Sequence, residues 1–243
     1  MNALVRALAW LIALTLVALP VVAVVNGWFA SDRWPIQRLQ LTAEFQRVSA
    51  EQVRGAVATH LAPGFFAVDL SAVRAAVAAL PWVAEVEVRK RWPDVLDVRL
   101  VEHRAVARWQ GDRLVSERGD LFVAPGAEAM QGLPELTGPD QRVAEVLAFH
   151  ASALEALGGS GIVPRGAGVS ARGSWTLTLD DGARVMLGRS DVPVRLQRLA
   201  RHLPAVLAAQ PVGPERIDFR YSNGFALRWR EPAAAATAIE KDT

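Results

Sequence analysis

From Ala7 to Ser31 the chain reads ALAWLIALTLVALPVVAVVNGWFAS, with Arg6 before it, Asp32 after it and no charged side chain between. No other feature restricts the fold as strongly. A run of this kind cannot be covered by a small soluble core, and within a bilayer its backbone must close its own hydrogen bonds as a helix. Helical from Ala7 to Val25, it would reach about 28 Å at ~1.5 Å per residue, close to the ~30 Å hydrocarbon core. Pro20 is tolerable in a spanning helix. A cleaved signal peptide is the competing reading, because Leu8 to Leu19 has the length of an h-region and Val21-Val22-Ala23 supplies small residues for cleavage. The apolar run continues past Pro20 and then meets Trp28 and Phe29, which suit an interfacial belt, and this favours an anchor. The sequence therefore predicts a short tail (residues 1–6), a membrane helix (7–31) and the bulk of the chain on the far side of the membrane. Long domains translocate largely regardless of charge.

The chain has 243 residues, 51% of them apolar, which suffices for one or two cores. Lys+Arg number 27 against 25 Asp+Glu, a net charge of +2, and no basic run is interleaved with aromatics, so nucleic acid is not an expected partner. With no cysteine, disulfide staples and thiolate chemistry are excluded.

Beyond Pro35 the pattern is that of a small α+β unit. IQRLQL reads as a strand. Ser49 to Gln52 forms an S-x-x-Q capping box, followed at helical spacing by Val53, Ala56, Val57, His60 and Leu61. Asp69 can cap a second helix with Leu70, Val73, Val77 and Leu80 on one face, stopped by Pro81. The period then falls to two: Trp82, Ala84, Val86 and Val88 alternate with charges, and Leu96, Val98 and Leu100 alternate with Asp97 and Arg99. The order is β-α-α-β-β, a three-stranded sheet with helices on one face and water on the other.

The rest of the chain reads as strands around helices. Gln110 to Asp112 and Glu117 to Asp120 are turn candidates. A helix is expected from Gln141 to Leu157, with Val143, Val146, Leu147, His150 and Leu154 on its stripe and GGSG after it. SWTLTLDDGARVMLGR predicts a hairpin whose Asp181-Gly182 takes a two-residue turn. Ser190 or Asp191 can cap a further helix carrying Leu196, Leu199 and Leu203, which Pro204 should kink or end. The last hairpin is IDFRY, a turn at Asn223-Gly224, and FALRW, with Ile217, Phe219 and Tyr221 on one face and Phe225, Leu227 and Trp229 on the other strand's face. The tail from Pro232 has too little apolar surface to cover the final strand's outer edge, and it is expected to be disordered. Such an edge invites aggregation or a partner strand.

The β-α-α-β-β unit resembles a POTRA domain. KRWPDVLDVRLVEHRAVARW (Lys90 to Trp109), with GDLF at Gly119 to Phe122, resembles the core signature of the FtsQ/DivIB family of bacterial cell-division proteins. Ala105 departs from it, standing where the family pattern has proline. The resemblance covers most of the chain and implies a cytoplasmic tail, one inner-membrane helix, a POTRA domain (34–104), a periplasmic mixed β-domain with flanking helices (105–231) and a tail (232–243), concentrated at the division septum. It also implies a role for the final edge: in such proteins the last strand accepts a strand from the partner FtsB, which travels with FtsL. Carried over by position, Tyr221, Asn223, Gly224 and Phe225 fall on the contact segment, with Trp229 near its end and Arg172 on a neighbouring surface. FtsK is implied as a further partner, through the POTRA domain or membrane helix. Without the resemblance, Tyr221, the chain's one tyrosine, reads as half-buried packing, and Phe225 reads equally as core.

An enzyme is the alternative of a different class. His60, His103, His150 and His202 are scattered, with two inside helical apolar patterns. H-E-x-x-H, G-x-S-x-G, a P-loop and paired-cysteine zinc spacing are all missing. Asp180-Asp181-Gly182 is turn chemistry rather than a metal site, and Gly158-Gly159-Ser160-Gly161 lacks the strand and helix of a phosphate cradle. No cofactor is expected. A docking or translocation module outside cell division is another reading, but an outer-membrane transporter needs a run of ~10-residue alternating strands, which this chain does not supply.

Overall fold

The computed structural model describes residues 2–25, 34–209, 212–221 and 223–230. The chain divides into two units, Met1–His103 and Arg104–Thr243. In the first unit, α1 (Asn2–Val25) is helical through Pro20. Leu8, Trp10, Leu11, Leu14 and Leu16 on it are all exposed. Among the described residues no helix is long and apolar enough to cross a membrane. Trp28 and Phe29, assigned to an interfacial belt, and the tail from Pro232 lie outside the described residues.

The α+β unit follows the expected order with one addition. β1 (Arg38–Thr42), α2 (Ala50–Ala58), a single-turn α3 (Gly64–Ala67), α4 (Leu70–Ala78), β2 (Val83–Arg91) and β3 (Val95–Glu102) build a three-stranded sheet in the order β1-β3-β2. β1 runs parallel to β3, and β2 antiparallel to it. The capping box forms: the Gln52 amide donates to Ser49 Oγ at 3.1 Å, and the Ser49 amide donates to Gln52 Oε1 at 2.8 Å. Asp69 accepts from the Ser71 hydroxyl and from the amides of Ala72 and Ser71, and these bonds, the hydroxyl's first among them, hold its carboxyl below the usual range. Val53, Val57, Val73 and Val77 meet Leu96, Val98 and Leu100 in the core. The opposite face is a polar grid of Gln40, Thr42, Glu87, Arg89, Asp97 and Arg99. The extra turn α3 buries Phe65, whose ring meets Phe66 edge-on at 5.4 Å. Glu102, at the end of β3, accepts hydrogen bonds from the amides of Gln46, Arg47 and Val48 and so fixes the loop entering α2.

In the second unit, β4 (Ala105–Trp109), β5 (Arg113–Ser116), β6 (Leu121–Phe122), β7 (Glu135–Thr137), α5 (Val143–Leu157), β8 (Pro164–Val169), β9 (Trp175–Leu179), β10 (Arg184–Gly188), α6 (Val192–Ala208), β11 (Pro214–Asp218) and β12 (Ala226–Trp229) follow one another. The strands form one nine-stranded mixed sheet in the order β12-β11-β10-β9-β8-β7-β4-β5-β6. Its core joins Trp109, Leu136, Leu177, Val185, Leu187 and Ile217 to the apolar faces of α5 and α6.

Several local expectations need correction. A 3₁₀ turn occupies Asp140–Arg142, so α5 starts only at Val143. Its buried stripe is Val143, Val146, His150, Ala153 and Leu157; alternating steps of three and four keep these on the core side, whereas a step of four from His150 carries Leu154 further around the axis, where it is exposed. Pro204 does not end α6, which continues to Ala208. Asp191 stands at its N-cap with φ +55°, and its side chain accepts no capping hydrogen bond. In the loop between β9 and β10 only Gly182 has a positive φ, +82°. Its amide donates to the Leu179 carbonyl at 2.9 Å and the Leu179 amide donates to the Ala183 carbonyl at 2.9 Å, a three-residue loop instead of a two-residue turn.

Candidate partner-binding edge

β12 is four residues long and closes one end of the nine-stranded sheet. Among the described residues it pairs with β11 only, in antiparallel register Asp218↔Ala226, Ile217↔Leu227 and Arg216↔Arg228. This register differs from the sequence expectation. The last strand residue before the turn is Asp218 and the next is Ala226, and no described residue between them is in a strand, so Asn223-Gly224 does not join the two strands by a tight turn. Gly224 lies outside the left-handed region, and space around it is open.

Three sets of side-chain contacts hold the described residues there. Phe219 is fully buried and stacks on Phe225 with ring centroids 4.8 Å apart and planes 15° from parallel. Arg198 of α6 donates through Nη2 to the Gly224 carbonyl at 2.9 Å and through Nη1 to that of Tyr221 at 3.4 Å. Its guanidinium also lies 6.0 Å from the Phe219 ring. Asp218 is nearly buried, and Arg220 donates to it through Nε, Nη2 and its own amide, at 2.9, 2.6 and 3.0 Å. Those bonds hold the Asp218 carboxyl below the ordinary carboxylate range, the Arg220 guanidinium first among the causes.

Tyr221 does not extend a strand: it sits at a bend, exposed, and does not share a buried face with Ile217 and Phe219. Asn223 is exposed, while Gly224, Phe225 and Trp229 are half-buried, with Phe225 and Leu227 packed on the core. Arg172 is exposed in the turn from β8 to β9, not on a strand, and neither of those strands touches β12. Register nevertheless brings it to the same end of the sheet as the loop. Trp175 pairs with Gly188, and a Cβ built on Gly188 would lie 3.1 Å from Arg220 Cγ.

Sequence reasoning missed Arg198 and the Asp218–Arg220 pair. The Leu196, Leu199, Leu203 stripe orients α6, but only the tertiary structure carries its flank to the loop. His150 is buried against the Pro164 carbonyl, 3.2 Å from Nε2, and burial pushes its pKa down. Among the described residues no group of three or more His, Cys, Asp or Glu could hold a metal ion.

Two family models match the chain: the FtsQ-type POTRA domain over residues 35–103 and the C-terminal domain of cell division protein FtsQ/DivIB over residues 107–220. The second match stops where the edge loop begins. The chain is 47% identical over 231 residues to the cell division protein FtsQ of Xanthomonas campestris pv. campestris, covering 95% of this chain and 82% of that one. It is 33% identical over 213 residues to the FtsQ of Escherichia coli K12, covering 85% and 77%, and 30% identical over 201 residues to that of Coxiella burnetii, covering 81% of each.

Proposed function

The chain belongs to the FtsQ family of cell-division proteins, and from that membership we propose that it is a non-enzymatic, single-span scaffold of the bacterial division machinery. It links early division proteins to an FtsB/FtsL pair, and through them to septal wall synthesis, by accepting a strand from FtsB along β12. The observation that carries this reading is the edge itself. β12 has one neighbour among the described residues, and its outer row of backbone groups is a template for pairing. Roughly four to six backbone hydrogen bonds at a net ~0.5 to 1.5 kcal/mol each suit a reversible complex. At the other end of the sheet β6 has only two residues, a short edge of the kind that resists pairing.

Tyr221 and Asn223, exposed before β12, are the contacts at the loop end of this edge, with Gly224 and Trp229 bordering it, and Arg172, in the β8–β9 turn at the same end of the sheet, is a contact for the part of the partner that extends past β12 and β11. Phe225 supports the edge from beneath through its stack on Phe219. The inner membrane is the second partner. What supports it is the sequence: the run from Ala7 to Ser31 carries no charged side chain, and Leu8, Trp10, Leu11, Leu14 and Leu16 within it are exposed. The bulk of the chain is then periplasmic, and the POTRA domain is free to meet other division proteins such as FtsK.

A photo-crosslinking residue at Ala226, exposed on β12, tests this in the membrane-embedded full chain. The expected adduct, identified by mass spectrometry, is a small single-span coiled-coil protein. Self-adducts alone, or no adduct while a control position crosslinks, would refute strand addition at this edge.

A further inference from the structure

On the sheet face away from α5 and α6, the registers place Arg184, Arg216 and Arg228 side by side. Arg184 pairs with Arg216 across β10 and β11, and Arg216 pairs with Arg228 across β11 and β12. Their neighbours in sequence, Val185, Ile217 and Leu227, point into the core, so the three arginines share the outer face, and all three are exposed. Further in along the same row stand Thr178, Gly166 and Glu135, the last paired with Arg108 at 3.5 Å. The row is thus balanced at its inner end and carries three successive like charges at its open end. Directly opposed like charges destabilise a sheet, and in-register Cβ atoms lie only about 4.5 to 5.5 Å apart.

Compensation is partial. Glu215 meets Arg228 Nε at 3.0 Å, with both side chains more than half exposed. Asp218, one row along, is occupied by Arg220. Arg230, past the end of β12, bonds to the Asp181 carbonyl and lies near its carboxylate. The edge therefore holds Arg184, Arg216, Arg228 and Arg220 against Glu215 and Asp218.

We propose that the strand accepted by β12 carries an acidic side chain in register with Arg228, and that the Arg184–Arg216–Arg228 row selects its register. This rests on the strand-addition reading above. A strand added to β12 places one residue at Cβ distance from Arg228 on the outer face. Asp or Glu there continues the row with the opposite sign, while Lys or Arg makes a fourth like charge. Because a one-residue slip turns every side chain to the other face, the charge excludes the neighbouring registers. In the next row Ala226 offers a small neighbour, so the added strand has room for a large side chain two residues from its acid. A second copy of this chain is the wrong occupant, since it would bring its own positive row to the edge.

The test displays a library of eight-residue strand-like peptides, randomised at one central position, and selects on the full-length chain in lipid nanodiscs. Selection is repeated on Arg228→Glu and on Arg216→Thr. Enrichment of Asp and Glu over Lys and Arg by about fivefold to tenfold is expected, a difference of the size that exposed pairs produce. It should fall at 0.5 M salt, invert for Arg228→Glu and shrink for Arg216→Thr. Peptides enriched with no charge preference would overturn the charge-selection inference and leave strand addition standing. Failure to enrich any peptide would overturn strand addition and the inference with it. Both variants alter exposed side chains on the outer face, and unchanged tryptophan fluorescence confirms that each is folded.

Discussion

Phe225 separates two roles that its position near the edge could serve, and the structure assigns magnitudes to each. Its ring is half-buried and stacks on the fully buried Phe219. Full burial of a Phe side chain stabilises by about 1.5 to 3 kcal/mol, so half of it amounts to ~1 to 1.5 kcal/mol. The stacked pair adds roughly 0.5 to 1.5 kcal/mol. Phe225→Ala should therefore open the β11–β12 segment by about 1.5 to 3 kcal/mol. Phe225→Leu keeps most of the apolar area and should lose only the aromatic share. Hydrogen exchange with mass spectrometry reads this locally, because 1.4 kcal/mol is a tenfold change in the open population. The Phe219 amide, which donates to the Met186 carbonyl at 2.9 Å, is the informative probe. Exchange there should rise on the order of tenfold to a hundredfold in Phe225→Ala, with the sheet of β1, β2 and β3 unchanged. A cycle with Phe219→Leu should return the pair term as a coupling energy. If protection stayed within twofold of the parent while partner capture disappeared, Phe225 would be a contact residue and its supporting role would be wrong.

Other outcomes can be read with simpler probes. Burial lowers the His150 pKa, so the folded protein binds fewer protons than the unfolded chain between its depressed value and the ordinary ~6.5. Stability of the second unit should be complete above pH ~6.5 and decline as pH falls below it, and His150→Gln should flatten that slope in urea titrations followed by tryptophan fluorescence; an identical slope would place the titration elsewhere. Gly166 has room for no side chain: a Cβ there would lie 2.6 Å from the Glu135 carbonyl oxygen of β7. Gly166→Ala should cost about 1 to 3 kcal/mol. Gly55→Ala, in α2 with nothing within 4 Å of the new Cβ, should instead stabilise by up to ~1 kcal/mol. Thermal unfolding of the two variants should move in opposite directions.

What the sequence disclosed follows from how local each signal is. The capping box at Ser49, the Asp69 cap and the period-two alternation of Leu96, Val98 and Leu100 are decided within a few residues, and each appears in the structure as expected. The Asp181-Gly182 hairpin was legible as a hairpin, but its loop length was not, because one left-handed glycine suits both loop classes. The final hairpin was misread for a tertiary reason. Asn223-Gly224 is a strong turn signal. Here, though, the Phe219–Phe225 stack, the Arg198 bonds and the Asp218–Arg220 pair give the chain more in a long loop than a tight turn could. One of those three, the Arg198 pair of bonds, comes from outside the hairpin altogether, on α6. Pro204 likewise stays inside α6, whose Leu196, Leu199 and Leu203 are all buried on the core. Packing outweighs the local break.

The arginine row shows a feature that sequence cannot display at all. Arg184, Arg216 and Arg228 stand far apart in the chain, in three segments whose alternation fixes the face of each but not its neighbours. Only the parallel pairing of β10 with β11 and the antiparallel pairing of β11 with β12 bring them level. Had that register been one residue different, Ile217 would face water and the row would break, so the apolar core that holds Ile217 also holds the arginines in line. The burial that stabilises the domain and the charge pattern presented to a partner are thus set by one register. A substitution that shifts β11, such as one overpacking Ile217, is expected to degrade charge selection at β12 even though it touches no exposed residue. The peptide selection above would show this as reduced acidic preference without a change in the edge's own sequence.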